Sequence, residues 1–84
     1  MPLFENGQQT AVKKGDELCV DTHNQVIQIR RKGAFLTHEN SSDVYCFLPD
    51  RGEGIEVLAE LVADAAGLGF KEIDDPVMVV FQFI

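Results

Sequence analysis

Two cysteines and two histidines are the residues whose types could hold a metal ion. Cys19 and His23 have the spacing Cys-x3-His, and His38 with Cys46 could complete a set of four zinc ligands. However, the chain has no compact Cys-x2-Cys knuckle, and both cysteines lie in predicted strands, where a buried thiol behaves as a small hydrophobic side chain. We therefore expect ordinary core cysteines and surface histidines, with no metal and no other cofactor.

A pair formed by Cys46 and His38 is the clearest candidate for a nucleophile and its base. The sequence places no basic residue and no helix N-terminus beside Cys46, and these are the features that activate a thiol. Asp74 and Asp75 are adjacent carboxylates, but without a cleft to hold a substrate they do not indicate a catalytic site. We therefore expect no catalytic residues, and we do not expect the protein to be an enzyme.

Two short segments could contact phosphate. Residues 51–54 (Arg-Gly-Glu-Gly) precede a predicted helix, but they lack the lysine of phosphate-binding loops, and Asp50 and Glu53 would repel an anion. Residues 30–32 (Arg-Arg-Lys) could touch an acidic patch or nucleic acid. Three charges at a strand end more often form a solvated edge that deters pairing with other strands. We expect no direct binding of nucleic acid.

The distribution of charge says more than the net charge of −7. Residues 1–43 contain five basic and six acidic residues, whereas residues 44–84 contain two basic and eight acidic ones, so the second half carries nearly all of the excess. Such a field repels nucleic acid and anionic membrane, and it speeds the encounter with a basic partner. The alternative is that the surplus acid keeps a small protein in solution.

Residues 54–70 show the one sustained helical period in the chain. Three carboxylates in this stretch, with Glu53 just before it, fall on one arc with no basic residue among them, and Val57 is a sizeable apolar residue that borders this arc. A small apolar anchor inside a charged rim would strengthen the binding of a basic protein partner. The residues predicted to bind this partner are Glu53, Glu56, Val57, Glu60 and Asp64, with the acidic turn Asp74 and Asp75.

The elements that must position these residues are one helix and several strands. The apolar arc predicts a helix over residues 55–66 that packs on a sheet, with Gly67 ending it and Leu68 packing back. This arc comprises Ile55, Leu58, Ala59, Leu61, Val62, Ala65 and Ala66. Short apolar stretches bounded by turn residues predict strands at residues 17–21, 25–31, 34–37, 43–48 and 77–84, of which 43–48 is apolar on both faces, with a brief extended piece at 71–73.

These elements predict an α+β fold, a small twisted antiparallel sheet of four to five strands with one α-helix on one face. Residues 1–84 form a single domain, in which residues 1–12, with the turn signal Asn6-Gly7, are a loosely ordered arm or hairpin. Met78 and Val80 lie on the sheet face that the helix does not cover. We expect the N-terminal strands or a second copy of the chain, in a homodimer, to cover that face.

Two classes of function fit these features. In size and charge the chain is similar to small acidic inhibitors such as bacterial immunity proteins and phage anti-defence proteins, whose carboxylates can take the place of phosphates. The alternative is a small regulatory or structural subunit of an enzyme or assembly. No apolar run could span a bilayer and no secretory signal is visible, so we expect no membrane contact and a cytoplasmic location.

Overall fold

The structure is a computed structural model that describes residues 3–24, 26–37, 44–45 and 52–84, with the backbone alone described at residues 44–45 and 52–53. It confirms the predicted α+β class, because one helix packs on an antiparallel sheet. In chain order the elements are β1 (Leu3–Glu5), β2 (Gln8–Thr10), β3 (Glu17–Asp21), β4 (Val26–Arg31), β5 (Ala34–Phe35), β6 (Val44–Tyr45), α1 (Gly52–Ala66), β7 (Phe70–Ile73) and β8 (Val79–Phe83).

The main sheet has the strand order β5–β4–β3–β8–β7, and β6 pairs with β4 at residues 26–27. Strand β8, the last in sequence, is inserted beside β3, so that Leu18 pairs with Phe81 on one side and with Ile29 on the other. The most hydrophobic strand of the sequence therefore lies inside the sheet, between β3 and the edge strand β7. Of the strand predicted at residues 43–48, residues 44–45 form β6, and the others lie outside the described residues.

Two tight turns of the same type join antiparallel strands, one between β1 and β2, which form a separate two-stranded sheet, and one between β4 and β5 of the main sheet. Asn6 and Gly7 both have positive φ angles, 51° and 80°, as do Lys32 and Gly33 with 51° and 82°. Two consecutive positive φ angles identify the type I′ turns that join antiparallel strands. Asn6-Gly7 therefore joins β1 and β2 in an antiparallel hairpin over residues 3–10.

Helix α1 ends as the sequence predicts. Gly67 has a φ of 71°, its amide donates to the Asp64 carbonyl at 3.1 Å, and the Leu68 amide donates to the Ala63 carbonyl at 2.8 Å. This is the Schellman pattern, in which a left-handed glycine lets the chain cap the last helical carbonyls. Leu68 is half-buried and packs against the core, as expected.

The core lies between α1 and one face of the sheet, and it corrects the predicted helix arc. Ile55, Ala59 and Ala63 are the buried helix residues, whereas Leu61 is 61% exposed and Ala65 and Ala66 are also exposed. The small side chains at 59 and 63 allow close approach to the sheet, so the buried line runs through every fourth residue. The helical period predicts the apolar side of α1 correctly, but the centre of the predicted apolar arc lies closer to Leu61 than the centre of the buried surface does.

The opposite face of the sheet is buried at its centre within the single chain. Val80 is fully buried and Cys19, its cross-strand partner, is 1% exposed, while Met78 is half-buried. The N-terminal hairpin does not cover this face, because Leu3 belongs to the core on the helix side. Strand β8 begins at Val79 rather than at residue 77, since the amides of the two preceding residues donate to a side chain in the turn before it.

Candidate partner-binding surface

Three carboxylates form an acidic stripe along α1, which we define as Glu56, Glu60 and Asp64. All three side chains are exposed, and each lies one helical turn from the next. The ion pairs in the described part of the chain all involve Arg30 or Arg31, so no described cation neutralises the stripe. Glu53 lies in the first turn of α1, where the structure describes the backbone alone.

Apolar side chains continue around the helix from the acidic stripe. Val57, the predicted anchor, is 53% exposed, and Leu61 lies one turn further along the same side. The solvent side of α1 is thus half acidic and half apolar. The sequence placed Val57 on this surface but assigned Leu61 to the core, so the apolar half is larger than predicted.

An open apolar cleft of about 730 Å³ adjoins this half of the helix. One wall is the flank of α1 that carries Leu58, Leu61 and Val62, and the other is the N-terminal segment, including Leu3 and residues 9–12. None of the described residues that line the cleft is charged. Its volume falls within the range of about 300–1,000 Å³ that ligand-binding clefts occupy. This cleft was not predicted from the sequence, although the turn signal Asn6-Gly7 indicates the hairpin that forms part of its second wall.

Arg31 holds the N-terminal segment in place. Its side chain is 9% exposed, and its Nε and Nη2 atoms donate to both carboxylate oxygens of Asp16, at 2.9 and 2.8 Å. Nη1 donates to Glu5 Oε1 at 3.1 Å and to Thr10 Oγ1 at 3.0 Å, and Nη2 donates to the Ala11 carbonyl at 2.8 Å. One guanidinium therefore ties the hairpin to the sheet. The hydrogen bonds with Asp16 are the main reason that the pKa of Arg31 is raised.

These contacts correct the interpretation of residues 30–32 as a solvated basic edge. Arg31 is buried, and Arg30 donates from Nε to Glu17 Oε1 at 2.7 Å, a contact that raises the pKa of Arg30. Lys32 remains exposed in a tight turn. The acidic patch that the cluster touches therefore belongs to the chain itself. The alternation of buried and partly exposed residues in β4 puts Arg31 on the core side. The sequence shows this alternation, but the three adjacent basic residues favoured the interpretation as a solvated edge.

The acidic turn at Asp74 and Asp75 is separated from the stripe. Asp75 Oδ1 accepts hydrogen bonds from the amides of Met78 and Val77, each at 2.9 Å, and these contacts lower the pKa of Asp75. Its charge also acts on Arg30, whose side chain projects from the sheet face opposite the helix. Asp75 thus shapes its own turn, while Asp74 and the neighbouring Val77 are exposed.

The structure does not bring Cys19 and His23 together as ligands. Cys19 is a free, buried thiol whose pKa is raised chiefly by burial, which disfavours the thiolate needed for metal binding or attack. His23 is exposed in the turn after β3. His38 and Cys46 lie outside the described residues. Among the residues that are described, no group of three or more His, Cys, Asp or Glu side chains could hold a metal ion.

Comparison of the chain with protein-family models, with curated proteins and with solved structures finds no match. In the part of the chain that the structure describes, no helix combines the length and the apolar character needed to cross a membrane.

Proposed function

We propose that the protein is a small acidic inhibitor, of the immunity or anti-defence kind, that binds a basic surface of a partner protein. The observation that carries the proposal is the acidic stripe, whose carboxylates are exposed and have no cation within ion-pair distance among the described residues. Like charges one turn apart repel, so the stripe destabilises the helix slightly. A cationic partner surface would remove that repulsion on binding.

The spacing of the stripe suits a surface that handles nucleic acid. Glu56 and Asp64 are eight residues apart, which corresponds to about 12 Å along the helix axis. One strand of DNA carries a phosphate about every 3.4 Å, or roughly three to four charges over the same length. The three carboxylates of the stripe, about 6 Å apart along the axis, therefore offer a line of negative charge that is somewhat sparser than one DNA strand. The same field opposes direct binding of nucleic acid.

A second candidate function is a small regulatory or structural subunit of an enzyme or assembly. The exposed side chains of Val57 and Leu61, together with the adjoining cleft, favour this candidate because such a surface can pack on a partner without any charge. Salt separates the two functions. Electrostatic association weakens as salt screens the charges, whereas apolar packing persists at high salt.

The test is recovery of a partner from a cytoplasmic extract at low and high salt, followed by binding measurements with the purified partner. Replacement of Glu56, Glu60 and Asp64 by lysine should leave the fold intact and abolish binding, and duplex DNA should displace the wild-type protein from its partner. The cytoplasm is the compartment we propose, since Cys19 is a free thiol. Unchanged affinity of the triple variant, with no competition from DNA, would contradict the proposal.

A homodimer through the face that contains Met78 is a further proposal. The burial of Val80 and Cys19 inside one chain means that this face needs no second copy to cover its centre. A dimer would therefore rest on the half-buried Met78 and its surroundings. Sedimentation at micromolar concentration should then give twice the chain mass of 9.3 kDa, and Met78→Lys should give a folded monomer. A wild-type protein that sediments as a monomer would contradict the dimer.

A further inference from the structure

We infer that the apolar cleft beside α1 receives a short amphipathic helix of the partner, with a row of large apolar side chains and basic residues along one flank. This inference rests on the proposed function and adds to it the chemistry of the segment that is bound. It follows from the shape of the cleft, from the exposed side chains that lead into it, and from the unequal charge of its two sides.

The cleft is elongated along the helix. Its lining includes residues of α1 from Leu58 to Ala66, a distance of about 12 Å along the axis, or two helical turns. A partner helix laid along such a groove presents apolar side chains at positions i, i+3 or i+4, and i+7. Beneath it lie Leu18, Ile27 and Ile29 of the sheet, whose side chains are already buried, so an incoming segment would contact mainly the partly exposed apolar side chains of the helix wall. This apolar surface favours side chains that bring no polar groups with them.

Leu61 connects the cleft with the surface outside it. It lines the cleft and yet is 61% exposed, so part of its side chain lies in water that an incoming apolar segment would displace. Val57 is exposed on the same side of α1. These two side chains cover little within the chain, and burial of each by a partner would stabilise the complex through the hydrophobic effect.

Charge selects which apolar segment fits. On the helix side, Glu60 and Asp64 lie beyond Leu61 with no ion-pair partner among the described residues. On the other side, the rim is formed by uncharged groups such as Gln9 and Thr10. A segment with lysine or arginine along one flank would pair with the stripe while its apolar row enters the cleft. An acidic segment of the same shape would meet like charge and be rejected.

The wall formed by the N-terminal hairpin is fixed before binding. Arg31 donates to Glu5, to Thr10 and to the Ala11 carbonyl, so the hairpin is held at both of its strands and at the residue that follows. A preformed wall reduces the ordering cost that a partner would otherwise meet. The cleft is therefore already formed before a segment binds.

The probe for this inference is a synthetic helical peptide of leucine and lysine, about four turns long, with its leucines in one row. Backbone amide shifts of the 15N-labelled protein should move at Leu61, Val62 and Thr10 on addition of this peptide. A peptide of the same composition in scrambled order, and one with glutamate in place of lysine, should bind at least about tenfold more weakly. Equal binding of the three peptides, or shifts confined to other surfaces, would overturn the inference.

Two variants of the cleft, at Leu61 and Ala65, separate this inference from the proposed function. Leu61→Gln should lower the affinity for the leucine–lysine peptide by about tenfold at every salt concentration. The control is Val77→Gln, which changes an apolar side chain that is 81% exposed and lies outside the cleft, and it should leave the affinity unchanged. Ala65→Trp, which fills the cleft, should block the peptide. If these variants bind normally but Glu60→Gln with Asp64→Asn removes the salt dependence, the stripe acts without the cleft and the inference fails alone. Uptake of a small apolar dye without any binding of the peptide would also overturn it.

Discussion

Two regions of this molecule, the surroundings of β4 and the exposed side of α1, use their carboxylates in opposite ways. Around β4, the side chains of Asp16, Glu5 and Glu17 all contact a guanidinium, and the contact between Arg31 and Asp16 is buried. Along α1, the three carboxylates of the acidic stripe contact no described cation and lie in water. The first set holds the fold together, and the second is available to another molecule.

This difference shows how the net charge should be interpreted. Residues 1–43 are nearly neutral because their five basic and six acidic residues almost balance, and the two arginines pair directly with three of the carboxylates. The excess of residues 44–84 has no such internal partner among the described side chains. Charge that folding leaves unpaired is therefore a better indication of a binding surface than the total charge of the chain.

The largest effect on stability is expected from breaking the buried contact. Arg31→Met leaves the Asp16 carboxylate buried without its cation and removes the side-chain hydrogen bonds that Arg31 makes to the hairpin, which the backbone bridge between Phe4 and Thr37 still holds. Removal of one partner from a buried ion pair typically costs about 3–5 kcal/mol, so the free energy of unfolding in urea should fall by that amount. The same substitution at Arg30, whose contact with Glu17 is partly exposed, should cost about 1 kcal/mol or less. Equal losses for the two variants would show that burial does not distinguish these contacts.

A substitution in the acidic stripe is expected to stabilise the fold rather than destabilise it. Glu60 has a like charge one turn away on each side, at Glu56 and Asp64. Glu60→Gln removes both repulsions and should raise the free energy of unfolding by a few tenths of a kcal/mol, since each such pair costs about 0.2–0.5 kcal/mol. Urea unfolding at low salt gives the clearest measurement, and the gain should shrink as salt is added. A loss of stability in this variant would mean that Glu60 has a structural partner.

The fold was largely predictable because its signals are local. Alternation at residues 17–21 gives β3 with the predicted bounds, and Gly67 with Leu68 gives the end of α1. The type of the two I′ turns is likewise determined by the residues within them. Such features depend on neighbours within a few positions, which a single sequence displays directly.

The site was predictable in part, for a physical reason. The exposed position of Glu56, Glu60 and Asp64 follows from the helical period alone. The cleft does not, because it depends on where Arg31 anchors a hairpin some twenty residues earlier in the chain. Likewise, Leu61 is exposed because Ala59 and Ala63 set the closest approach to the sheet, and no local pattern distinguishes those contacts. Long-range packing decides both features.

The most direct test of the central claim compares two variants of equal net charge. Glu60→Gln with Asp64→Asn, and Thr22→Lys with His23→Lys, each raise the net charge of −7 by two, but only the first changes the acidic stripe. Thr22 and His23 are exposed in the turn after β3. If the stripe binds a basic partner, the first variant should lose about tenfold in affinity for it at low salt, and the second should bind like the wild type. Equal affinities of the two variants would contradict the account.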